Sequence, residues 1–95
     1  MNLQLLQNLY KTHKETALYG RYIFSQHLKP LIKKHSDNFL IETIGQSVLG
    51  ENISVIKIGS GKTKILMWSQ MHGNESTTTK AVLDLFNLFN DSSEN

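Results

Sequence analysis

Ile65-Leu66-Met67-Trp68-Ser69-Gln70-Met71-His72-Gly73-Asn74-Glu75 is the stretch on which the reading of the fold turns. Its first four side chains are apolar without interruption, the pattern of a strand covered on both faces. The strand is expected to run through Met71 and to end in a loop. After Glu75 the apolar period becomes helical. Strand, loop and helix in that order belong to an α/β sheet, where ligands gather outside the carboxyl ends of strands. His72 and Glu75 stand three residues apart at that edge, an imidazole and a carboxylate that are both good zinc ligands. Gly73 is expected to make the sharp bend out of the strand. Glu75 is expected beside the first helical turn, where the dipole favours an anion. The blander alternative is a carboxylate that supports the helix start next to a loop histidine. A catalytic zinc needs three protein ligands and an open position for water, and no convincing third ligand follows in the sequence.

Working outward, Val82, Leu85, Phe86 and Phe89 form one helical stripe, flanked by Ala81 and Leu88, opposite a polar face of Lys80, Asp84, Asn87 and Asp91. The polar run 90–95 is expected to end that helix. Upstream, Gly59-Ser60-Gly61-Lys62-Thr63 looks like the close of a phosphate-binding loop. That motif has a glycine where Ile56 stands, and it needs a helix to start at the lysine, where a strand is expected instead. The glycines read better as a hairpin turn. Before them, Ile53 to Ile58 is a β-branched strand, and Phe39 to Ile44, ended by Gly45, is another. Residues 2 to about 16 carry Leu3, Leu6, Leu9 and Tyr10 on one helical face, and Gly20 interrupts the pattern. A second helix is expected from near Ser25, a plausible N-cap, to His35, with Pro30 in the first turn of a regular part that starts at Lys29. Residues 1–36 thus form a helical segment, and 37–95 supply the first strands and helix of an α/β domain. Buried strands need neighbours on both edges, so more chain is expected to complete the sheet.

The 95 residues suffice for one domain or a piece of one, with 39% hydrophobic and 19% charged residues as in ordinary globular proteins. A net charge of +2 gives no ground for nucleic-acid binding, and Lys29, Lys33 and Lys34 read as a solvated helix face. The absence of cysteine excludes disulfides, thiolate metal sites and a cysteine nucleophile. The N-terminus breaks its apolar residues with amides, so no signal-peptide core is expected, no apolar run spans a membrane, and a cytoplasmic location follows as the expectation. Asn52-Ile53-Ser54, Asn74-Glu75-Ser76 and Asn90-Asp91-Ser92 match a glycosylation pattern too common to count without a secretory signal. His13 and His35 are expected to be solvated, and His27 has no evident role. Ser69 lacks the glycine-flanked elbow of an activated serine.

Ile44-Gly45-Gln46-Ser47-Val48-Leu49-Gly50, the strand from Ile53, the strand from Ile65 and then His72-Gly73-Asn74-Glu75 resemble, in that order, the zinc carboxypeptidases of the carboxypeptidase A type. The first segment is similar to the family's I-G-x-S-x-x-G turn, and the H-G-N-E form is similar to its bacterial members. The resemblance covers roughly residues 40 to 90. It implies the N-terminal portion of a three-layer α/β/α zinc-peptidase fold with a mixed sheet. It further implies a Zn²⁺ cofactor with His72 and Glu75 as its first two ligands, a peptide or amide substrate, and hydrolysis of C-terminal peptide bonds by a zinc-activated water. In the family the third ligand, the general base and the arginines that grip the substrate carboxylate lie further downstream, so no catalytic residue is expected within this chain and the isolated chain is expected to be inactive. Asn74 occupies a position that is arginine in some relatives, which marks it for substrate contact. Glu51-Asn52 stands where the family often has an arginine. The alternatives are a related zinc amide hydrolase of the deacylase or murein-amidase kind, and a non-catalytic relative.

Overall fold

The computed structural model describes residues 2–91, in the order α1 (Leu3–His13), α2 (Ser25–His35), β1 (Leu40–Gln46), β2 (Asn52–Lys57) and α3 (Thr77–Asn90). Helix α1 starts where the Asn2 side chain accepts the Leu5 N–H at 2.8 Å, a standard satisfaction of an orphan donor. It ends at Lys14, whose N–H returns to Tyr10 O. Helix α2 begins further upstream than Pro30 suggested. Phe24, not Ser25, is the N-cap, and its N–H donates to Nδ1 of His27 at 2.8 Å, so His27 takes the part of a capping-box residue. Pro30 lies inside the helix. Its fixed φ suits the helix, but it supplies no N–H to Gln26 O and its ring crowds that carbonyl.

β1 and β2 form an antiparallel hairpin, Leu40 opposite Lys57 and Gln46 opposite Asn52, with the register shifting between Thr43 and Gly45. Ile44 is the extra residue of that bulge, so the strand passes beyond Gly45 instead of stopping there. The turn lies at Ser47–Glu51, not at Gly59–Lys62. Ser47 closes it twice, through its backbone to Glu51 O at 2.8 Å and by its Oγ accepting the Glu51 N–H at 3.1 Å. Gly50, at φ +82°, takes the left-handed conformation the turn requires. The I-G-x-S-x-x-G pattern is thus a bulge followed by a turn. No helix follows Lys62, in keeping with the rejection of a phosphate-binding loop.

The apolar core joins helices, not sheet. Leu18, Ile23, Leu31 and Leu83 are buried, with Leu28, Val82 and Phe86 packed against them. Leu83 is the deepest apolar side chain of α3, whereas Phe89, placed on the stripe by periodicity, is exposed. The expected polar face of α3 is also not simply solvated. Asp84 accepts the Glu15 N–H at 2.7 Å, and Asn87 donates to His13 O at 3.0 Å. These side chains satisfy backbone groups left over where α1 ends. Lys34 leaves the solvated lysine face to meet buried Glu15 at 2.7 Å. Burial pushes the Glu15 carboxyl up, but Lys34, the Ala17 N–H and Asn87 outweigh it and hold it below its ordinary value.

Both histidines expected in solvent are buried. His13 bonds Leu9 O through Nδ1 at 3.0 Å and Asp91 through Nε2 at 2.9 Å. His35 is 0% exposed, stacked on Phe39 at 5.5 Å and edge-on to Phe86 at 5.7 Å. A helix-end histidine looks polar in sequence, but here the ring continues the aromatic packing between α2 and α3.

The largest departure is at 65–71. Among the described residues this segment is not in a strand, and Leu66 and Trp68 are 81% and 68% exposed. A strand forms only by pairing its backbone with a neighbour, and here both hairpin strands pair only with each other. The observed class is therefore mixed α and β, with one two-stranded antiparallel sheet among the described residues. No helix of the described residues is long and apolar enough to cross a membrane.

Candidate metal centre

His72 and Glu75 do come together. Nδ1 of His72 lies 3.3 Å from Oε2 of Glu75, and the Glu75 N–H donates to His72 O at 3.0 Å, closing a turn that sets both side chains on one side. Both are open to solvent, 75% and 69% exposed. A tetrahedral zinc with bonds of about 2.0–2.1 Å keeps neighbouring donor atoms roughly 3.3–3.4 Å apart. The observed separation matches that spacing as well as that of a long hydrogen bond, so the pair fits two positions of a zinc site. It fits no more than two: no group of three His, Cys, Asp or Glu side chains able to hold a metal exists among the described residues. His13 is engaged by Leu9 O and Asp91, His27 caps the start of α2, and His35 is sealed in the core.

The chain turns at Gly73-Asn74, as expected, and Gln70 before it holds a φ of +54°, the only positive value at a non-glycine among the described residues. Helix α3 begins two residues beyond Glu75, with Ser76 as N-cap. The carboxylate therefore stands just before the first turn, within reach of the dipole's positive end. Ser76 does not cap with its side chain; its Oγ donates to Arg21 O, and Nζ of Lys80 donates to Gly20 O at 2.8 Å. Nε of Arg21 donates to Asn74 O at 3.4 Å. The strap before α2 thus runs along the loop. Between them lies an open groove of about 570 Å³, lined by Tyr22, Phe24, Leu28, Gln70 and Asn74 among others. Asn74 borders this groove next to the His72–Glu75 pair. Gln70, Arg21 and Thr79 were not marked by sequence, because neither spacing nor residue type announces a left-handed backbone or a long-range hydrogen bond.

A family model described as zinc carboxypeptidase matches residues 24–92. This chain belongs to the zinc carboxypeptidase family. The matched residues run from the N-cap of α2 through the hairpin, the apolar segment and the His72–Glu75 loop to the end of α3. No curated protein and no solved structure matches the chain. Membership gives the H-x-x-E pair a hydrolase setting, that of metal-dependent peptidases.

Proposed function

We propose that His72 and Glu75 are the first two protein ligands of a catalytic zinc in a metallocarboxypeptidase that hydrolyses C-terminal peptide bonds. The observation that carries this reading is the Nδ1–Oε2 separation of 3.3 Å at a solvent-open loop, in a chain of the zinc carboxypeptidase family. Zinc at such a site polarises the scissile carbonyl and activates a water. His72 contributes a neutral donor and Glu75 an anionic one, so this part of the site supplies a single negative charge against the metal's two positive ones. Asn74 offers an amide beside the groove, suited to accept from and donate to a peptide backbone. On this reading the segment 65–71 is an inner strand of the three-layer α/β/α sheet, and its exposed apolar side chains are covered when neighbouring strands and helices meet it. A complete site of this kind would also need a third ligand, a general base and a clamp for the substrate carboxylate, roles that the His72–Glu75 pair does not fill.

A second reading is favoured by the lack of a three-donor group among the described residues: the 95-residue chain acts as a non-catalytic metal binder. Zinc titration followed through the ring signals of His72 and the side-chain signals of Glu75 tests the shared premise. Both sets are expected to shift together, and His72→Ala and Glu75→Ala each abolish the shift of the partner. Zinc-induced shifts that survive both substitutions would exclude this pair as the site.

A further inference from the structure

Gln70 sits at the end of the exposed apolar segment, in a backbone conformation that side chains other than glycine rarely hold, at φ +54°. Such a conformation persists only where surrounding contacts over-determine it, and it marks places where geometry matters. The contacts are all present. Nε2 of Gln70 donates to Ile23 O at 2.8 Å and to Gly73 O at 2.9 Å, while Oε1 accepts from Oγ1 of Thr79 at 2.8 Å. Because the two backbone carbonyls only accept, the amide orientation is fixed by its partners. The Thr79 hydroxyl spends its proton on Gln70, so the 2.8 Å contact between Ser69 and Thr79 is donated by Ser69. Thr79 is itself buried in the first turn of α3. One amide therefore joins three separate pieces: the strap before α2, the first turn of α3, and the carbonyl of Gly73 between the two proposed ligands.

We infer that Gln70 is a positioning residue: its side chain, through Gly73 O, holds the His72–Glu75 turn in the geometry that receives a metal. The inference rests on the zinc reading of that pair, but what Gln70 does to the turn is measurable without metal. A Cβ-free residue relieves the left-handed backbone, so Gln70→Gly separates strain from hydrogen bonding. If the backbone alone matters, glycine serves as well as glutamine.

The test uses the full chain with Gln70→Gly, Gln70→Ala and His72→Ala variants and two readouts. Backbone order parameters from ¹⁵N relaxation are expected to fall at residues 72–75 in both Gln70 variants, and to stay unchanged at Leu83 in the core. Zinc affinity, by competition with a chromophoric chelator, is expected to drop about tenfold or more in both, the usual effect of losing a partner that orients a ligand. Unchanged order at 72–75 in Gln70→Gly overturns the inference, as does a loss that is equal at Leu83. Zinc affinity that is the same in wild type and His72→Ala overturns instead the metal reading of the pair, whatever the order parameters show.

Discussion

His35 carries a specific acid sensitivity. Neither ring nitrogen has a hydrogen-bond partner among the described residues, and an imidazole so placed is tolerable only when neutral. Burial lowers its pKa below the ordinary 6.5, the Lys34 charge pushes the same way, and Glu15 opposes. Below 6.5 the unfolded chain takes up a proton that the folded chain refuses, so stability is full above that pH and is lost as pH falls through the folded value. Glu15, held below its ordinary 4.5, adds a second loss of the same sign further down. Denaturant unfolding is expected to show lower stability at about pH 5 than at about pH 7.5, and His35→Phe to flatten that upper part of the profile. An unaltered profile in His35→Phe would place the sensitivity elsewhere. Glu15→Ala leaves the Lys34 ammonium and the Asn87 amide without their buried acceptor. It is expected to cost about 1–2 kcal/mol, less than a fully buried pair because Lys34 is half exposed. At this scale the sequence was legible where chemistry follows from adjacency: His72 and Glu75 are three apart and the chain brings them together. It misplaced His35 and His13 in solvent and was silent on Gln70, because their surroundings are made by residues far along the chain.

At the scale of elements, α2 and α3 owe their cohesion to a small set of side chains. Leu83→Ala is expected to cost about 2–5 kcal/mol by cavity formation, a large share of the roughly 5–15 kcal/mol a domain possesses. Thermal melting would register this as a lowered midpoint, while Val48→Ala, at a fully exposed position, should barely move it. The hairpin turn was expected at Gly59–Lys62 and lies at Ser47–Glu51, whereas the helices and the two strands could be read from periodicity and β-branching because those signals are local. The third strand could not, since an apolar run says what a segment would bury and not whether a neighbour is present to pair with it. Residues 65–71 are thus an open apolar face beside Val82 and Leu85 of α3. Such a face drives association through unpaired backbone and apolar surface. Sedimentation is expected to show concentration-dependent self-association, relieved by Leu66→Lys with Trp68→Lys at little change in stability. A sharp, concentration-independent monomer would mean that the face is protected.

For the whole molecule, the helical core and the His72–Glu75 loop are built by different parts of the sequence and meet at the strap of residues 20–24. The strap bonds to the loop and to the start of α3 through Gly20, Arg21 and Ile23. The two proposed ligands, on an exposed loop, would leave a metal open to water and to loss. Accordingly the 95-residue chain alone is expected to release no C-terminal amino acid from peptides in the presence of zinc. Zinc-dependent release that disappears in Glu75→Ala would show that the chain assembles a complete site, for instance between copies. The most direct measurement is X-ray absorption at the zinc edge of the zinc-loaded chain. One imidazole and one carboxylate are expected in the first shell, completed by water oxygens, with the imidazole scattering absent in His72→Ala. A wild-type spectrum without imidazole scattering, or one that His72→Ala leaves unchanged, would contradict the assignment of this pair as the metal ligands.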